Sequence, residues 1–185
     1  EAEAVNTVQR LEAARRGSRQ PAVAENRNQW VDPYASEASP PNTTGIVQIP
    51  FKELRNLGML TPDNPRSAIA EEYRTIKRPL LINIAGDSVT TPIPHGNLIM
   101  VTSALEGEGK TFCAISLALS IAMEQDKTVL FVDADTSKAD AGKMLGVAVT
   151  SPGLIDLLQD THASVADFIL PTSVEKLRIL PAGSV

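Results

Sequence analysis

The chain has 185 residues, 43% of them hydrophobic and 21% charged, and a formal net charge of −5. That length and balance suit one globular domain with an accessory segment and exclude a low-complexity chain. The acidic excess argues against a phosphate-tracking surface, so no nucleic-acid partner is expected.

Residues 1–16 read as a helix. Val5, Val8 and Leu11 follow three- and four-residue steps, and Arg15-Arg16 suits a last turn before Gly17. The narrow apolar stripe fits either a docking helix for a partner or membrane surface, or a frayed terminus. Residues 17–45 carry Pro21, Pro33, Pro40 and Pro41 with no apolar periodicity, the composition of a disordered linker. The opening Glu-Ala-Glu-Ala lacks the basic start and apolar core of a secretory signal.

From residue 46 the pattern becomes that of a folded domain, expected to run to residue 185. Ile46 to Ile49 is strand-like, and Phe51 to Leu57 reads as a short helix stopped by Gly58. A second helix is expected from Arg66 to about Lys77, ended or bent by Arg78-Pro79. Along it Glu71, Arg74 and Lys77 recur every three residues, an acid and two bases on one face. Residues 86–96, with Pro92 and Pro94, form a turn-rich loop.

The segment Asn97-Leu98-Ile99-Met100-Val101-Thr102 is expected to be a strand, followed by Ala104-Leu105-Glu106-Gly107-Glu108-Gly109-Lys110-Thr111 and an apolar helix from Phe112 to Met123. This is the strand–loop–helix context of a phosphate cradle. Gly107 and Gly109 let backbone N–H groups converge on one anion at the positive end of the helix. Lys110 supplies a mobile cation for the β- and γ-phosphates, Thr111 offers its hydroxyl to Mg²⁺, and Phe112 completes the first turn. Ala104 replaces the Gly of the consensus. Cys113, the only cysteine, excludes an intrachain disulfide and is read as a packed, inert thiol. The apolar run itself is shorter than the roughly 20 residues that span a bilayer.

Val129 to Val132 forms a second β-rich run that ends in Asp133 and Asp135. One right-handed crossover after a phosphate loop, these carboxylates would open onto the same sheet edge, where they can order Mg²⁺ and its waters or accept a proton. Ser137 to Leu145 reads as a helix, Gly153 to Leu158 and Val165 to Leu170 as two more, and Leu177 to Leu180 as a third strand. His95 and His162 lack ligand spacing and are assigned no metal.

Taken together, Glu71-Glu72-Tyr73-Arg74-Thr75-Ile76-Lys77, the Thr102 to Thr111 loop, Val132 to Asp135, Gly153 to Leu158 and Ile179 to Gly183 resemble the bacterial tyrosine kinases of exopolysaccharide biosynthesis. The likeness looks closest to the soluble autokinases of exopolysaccharide/PEP-CTERM loci. It implies a MinD-like P-loop NTPase fold, with a mostly parallel sheet flanked by helices. It also implies Mg-ATP as cofactor and transfer of the γ-phosphate to tyrosines of a neighbouring copy.

By the same resemblance Lys110 and Thr111 belong to the Walker A loop and Asp133 and Asp135 to the second acidic motif. Lys110, Asp133 and Asp135 are then catalytic, with Asp133 as base or organiser of metal-bound water and Asp135 on the Mg²⁺ side. Glu71, Arg74 and Lys77 fall on a ring-forming motif through which copies self-associate, with Lys in place of its last Arg. A membrane polysaccharide co-polymerase is the implied partner, and the expected location is cytoplasmic, or peripheral at the inner membrane.

Three departures stand out. Glu106 occupies a position where relatives commonly have Pro, and Lys138-Ala139 one where Arg-Pro often follows; both are expected to alter loop stiffness rather than chemistry. No hydrophobic run ending in Asp follows Asp135, and Tyr34 and Tyr73 are the only tyrosines. With no initial Met and an end just past a strand-like run, the chain is expected to be a fragment that lacks a Walker B strand and a tyrosine-rich tail.

Two other functions fit parts of the pattern. A partition or division-site ATPase shares the acidic second strand, but its signature Lys early in the loop is here Leu105. A nucleotide-responsive module that assembles with an export complex would work through the helix at residues 1–16.

Overall fold

A computed structural model describes residues 45–183. The expected N-terminal helix and all of the linker except Gly45, with Trp30 and Tyr34, lie outside the described residues.

Helix α1, Phe51–Asn56, buries Leu54 and is closed by Gly58 at φ 79°. Helix α2, Ala68–Ala85, is capped by Ser67, whose hydroxyl accepts from the Ala70 N–H. It is not ended at Pro79 but runs through it and stops only at Gly86. Proline removes the N–H that would bond to Thr75, but Leu80 and Leu81 beyond it pack against the core. Tertiary burial therefore carries the helix across its weak point. The loop that follows is turn-rich as expected, with Asp87 Oδ1 accepting from the Val89 and Thr90 N–H groups.

Helix α3, Lys110–Ala122, contains no charged residue after Lys110, and Ile115 to Ala122 are all buried. It is the central helix, packed between α2 and the sheet. Strand β1, Val129–Val132, follows it, then α4, Asp140–Met144, and α5, Leu154–Gln159. A 3₁₀ turn at Val165–Phe168 leads into the short β2, Leu170–Pro171, and then β3, Leu177–Leu180.

The three strands are ordered β1-β3-β2. β1 runs parallel to β3, with Val129 opposite Leu177 and Val132 opposite Leu180, and β2 is antiparallel to β3. Val47 adds a single parallel bridge to Thr172. Leu177, Ile179 and Leu180 are buried, as is Phe131.

One expected strand is missing. Asn97 to Thr102 forms no ladder with the described strands, and Leu98 and Met100 are each 82% exposed. A β-prone sequence becomes a strand only where a neighbour accepts its backbone hydrogen bonds, and no described strand does so here. The α/β class holds; the sheet is smaller and more mixed than expected.

Candidate nucleotide site

Gly107 and Gly109 both adopt positive φ, 80° and 88°. Gly109 stands as the left-handed cap of α3, and the helix's first intrahelical bond runs from the Cys113 N–H to the Gly109 carbonyl, 2.9 Å. The N–H groups of Lys110, Thr111 and Phe112 consequently have no intrahelical acceptor and face the loop. An anion there would meet aligned donors and the positive end of a 13-residue helix.

The loop's side chains are tied to their own backbone. Lys110 Nζ donates to Ser103 Oγ at 3.0 Å and to the Leu105 carbonyl at 3.2 Å. Glu108 Oε2 accepts from the Leu105 N–H at 2.9 Å. That backbone hydrogen bond, helped by Ser103, Ala104 and Lys110, holds the Glu108 carboxyl below the usual range. Thr111 and Phe112 are half-buried, whereas Ala104 to Glu108 are exposed.

The acidic loop is built differently. Asp133, at the C-terminal end of β1, is buried, and its two oxygens accept from the Asp135 and Gly142 N–H groups, each at 3.1 Å. Asp135 is exposed, and its Oδ1 accepts from the Ser137 and Lys138 N–H groups, both at 3.3 Å. Asp133, Ser137, Lys138, Lys143, Val147 and Pro181 help to line a cavity of about 230 Å³. The phosphate loop does not line it. An ion pair between Lys138 and Glu106 joins the two loops.

The three residues expected at an interface separate. Glu71 and Arg74 are exposed and pair with each other at 2.5 Å along α2. Lys77 is buried instead; its Nζ donates to the Ser120 carbonyl at 2.8 Å and pairs with Glu124 at 2.6 Å. It thereby caps the last turn of α3, where a cation is favoured. Three-residue spacing advances 300° per step, so the third residue rotates off the face that holds the first.

Cys113 is exposed rather than packed. It lies in the first turn of α3, just before the buried run, and its thiol contacts the phenol of Tyr73. Burial, then the hydrogen bond with this thiol, pushes Tyr73 up to about 12. Sequence reasoning missed this pair because nothing in either residue's local context points to the other.

No group of three or more His, Cys, Asp or Glu forms a metal cage among the described residues. The oxygens present, the Thr111 hydroxyl and the Asp135 carboxylate, are hard donors that suit Mg²⁺, which is commonly held by one or two protein oxygens plus substrate phosphates.

No family model matches the chain. The tyrosine-protein kinase CpsD of Streptococcus agalactiae is 38% identical over 91 residues, 49% of this chain and 39% of that protein. The tyrosine-protein kinase YwqD of Bacillus subtilis is 40% identical over 84 residues, 45% of this chain and 31% of that one. Over about half of its length, then, this chain is similar to proteins named tyrosine-protein kinases. The succinoglycan biosynthesis transport protein ExoP of Rhizobium meliloti is 33% identical over 135 residues, 73% of this chain and 16% of that protein.

A solved structure, the chimerical protein CapA2B2, superposes with a TM-score of 0.52 at 28% identity, covering 76% of this chain and 56% of that one. The chain thus spans well under half the length of the curated relatives it matches. Among the described residues no helix is long and apolar enough to cross a membrane.

Proposed function

We propose that this chain forms the nucleotide-binding part of an ATP-dependent tyrosine autokinase that acts in exopolysaccharide or capsule synthesis and export. The observation that carries the reading is the loop before α3: two positive-φ glycines open a 13-residue helix whose first residue is Lys110. Similarity to proteins named tyrosine kinases narrows a generic phosphate cradle to this chemistry.

In this reading the α3 N–H groups and Lys110 hold the β- and γ-phosphates of ATP, and Thr111 and Asp135 hold its Mg²⁺. The metal would neutralise charge on the transferred phosphoryl group. Asp133 keeps the 133–142 loop in shape through its two N–H partners, which favours an organising role over that of a freely moving base. The acceptor would be a tyrosine of a neighbouring copy, met through the Glu71 and Arg74 face of α2. A polysaccharide co-polymerase at the inner membrane would be the partner.

ATP titration of the chain and of Lys110→Met tests the cradle. A loss of roughly 10-fold or more in affinity is expected from removing a charge-assisted phosphate contact. Equal affinities would refute the reading. Phosphotyrosine formation by the full-length protein tests the kinase step. ATP hydrolysis without it would favour the partition-type ATPase, and export that depends on residues 1–16 but not on phosphotyrosine would favour the assembly module.

A further inference from the structure

Glu106 and Lys138 stand 32 positions apart, yet their side chains form an ion pair. The pairing has a physical reason. A loop that receives a polyanion here carries two carboxylates, Glu106 and Glu108. Glu108 is turned back onto the Leu105 N–H. Glu106 has no such backbone partner, and the cation that neutralises it comes from the acidic loop.

Both partners are open to solvent, 78% for Glu106 and 51% for Lys138. An exposed pair of this kind is held weakly and exchanges readily. A polyphosphate offers more charge and more acceptor oxygens than one carboxylate, so it is the stronger competitor for an ammonium. The backbone of Lys138 is fixed on both sides: its N–H donates to Asp135 Oδ1, and its carbonyl accepts from Lys143 Nζ at 3.2 Å. The flexible four-carbon stem of Lys138 carries the ammonium, so its partner is exchanged by rotamer change.

We propose that Lys138 is a phosphate-responsive cation, for which Glu106 and the polyphosphate of a bound nucleotide compete. Its transfer to the phosphates ties the acidic loop, and Asp135 with it, to the nucleotide. Its return to Glu106 releases them. This rests on the phosphate-cradle reading of the loop before α3 and adds a contact that the loop itself does not contain.

A double-mutant cycle tests it, with inorganic triphosphate and ATP as probes in calorimetric titrations of the chain, Glu106→Gln, Lys138→Met and the double variant. Lys138→Met is expected to weaken triphosphate binding roughly 10-fold, the loss of one charged hydrogen-bond donor. Glu106→Gln is expected to tighten it about 2- to 5-fold by freeing the lysine. In the Lys138→Met background that gain should vanish. An equal gain in both backgrounds would mean plain repulsion by Glu106 and would overturn the proposal. So would an unchanged affinity in Lys138→Met. Binding that collapses in Lys110→Met but ignores position 138 sinks the exchange alone; no triphosphate binding by the unaltered chain sinks the cradle reading and the exchange with it. Unchanged thermal midpoints show that the variants fold.

Discussion

A Cβ added at Gly153 would lie 2.2 Å from the Pro181 carbonyl oxygen and 2.5 Å from the Gly183 nitrogen, whereas one added at Gly107 or Gly109 would meet nothing within 4 Å. Around Gly153 the backbone is crowded: the Leu154 N–H donates to Pro181 at 2.8 Å, the Ile155 N–H to Ala182 at 2.9 Å, and the Gly153 N–H to Asp156 Oδ2 at 2.7 Å. Glycine there lets α5 dock on the chain leaving β3. In the loop before α3 glycine serves backbone shape alone, with open space around it. Two glycine motifs that look alike in sequence thus answer to different forces, close packing in one and access in the other.

Gly153→Ala attacks the first and should have the largest effect, about 3 kcal/mol, because the obstacle is backbone that cannot rotate away. Gly107→Ala attacks the second and should cost only about 1 kcal/mol, the strain of a left-handed alanine, while its methyl group intrudes on the cradle. Urea denaturation of both variants measures the contrast. Equal losses would mean that the phosphate loop is packed as tightly as the α5 corner.

The same contrast separates the two acids. Asp133→Asn replaces one carboxylate oxygen by a donor, so one of the N–H groups of Asp135 and Gly142 loses its acceptor, at a cost of roughly 2 kcal/mol. Asp135→Asn keeps an acceptor at an exposed site and should stay within about 0.5 kcal/mol. Phosphotransfer by the full-length protein should fall in both. Only Asp133→Asn should also lower the urea midpoint, and equal midpoints would deny Asp133 its organising role.

Local features were readable from the residues alone. The uncharged run of α3, the Gly58 stop, and the strands at 129–132 and 177–180 follow from periodicity and turn chemistry, which act over a few residues. What needed a distant partner was not readable. Asn97 to Thr102 has strand composition but finds no ladder; Pro79 marks a break that Leu80 and Leu81 override; Lys77 leaves the exposed face because Glu124 and the Ser120 carbonyl await it. At the site, the glycines and Lys110 announced themselves. The Glu106–Lys138 pair did not: each residue stood out separately, but nothing local says that the fold brings them together across 32 positions.

A modest effect at neutral pH belongs to Tyr73, and it changes with pH. The phenol is buried and raised from 10 to about 12, chiefly by desolvation and then by the Cys113 thiol. Between those values the unfolded chain has released this proton and the folded chain retains it. The unfolded state then binds fewer protons, so stability falls as pH rises. The contribution is complete below pH 10 and is lost on passing 12. Tyr73→Phe cannot ionise, so it should lose about 1 kcal/mol at pH 7 through its missing hydrogen bonds and show a flatter decline between pH 10 and 12. Midpoints of thermal unfolding for both proteins across that range isolate the contribution of the phenol. Parallel curves would mean that Tyr73 is hydrated and that the contact between α2 and the first turn of α3 is looser than its burial implies.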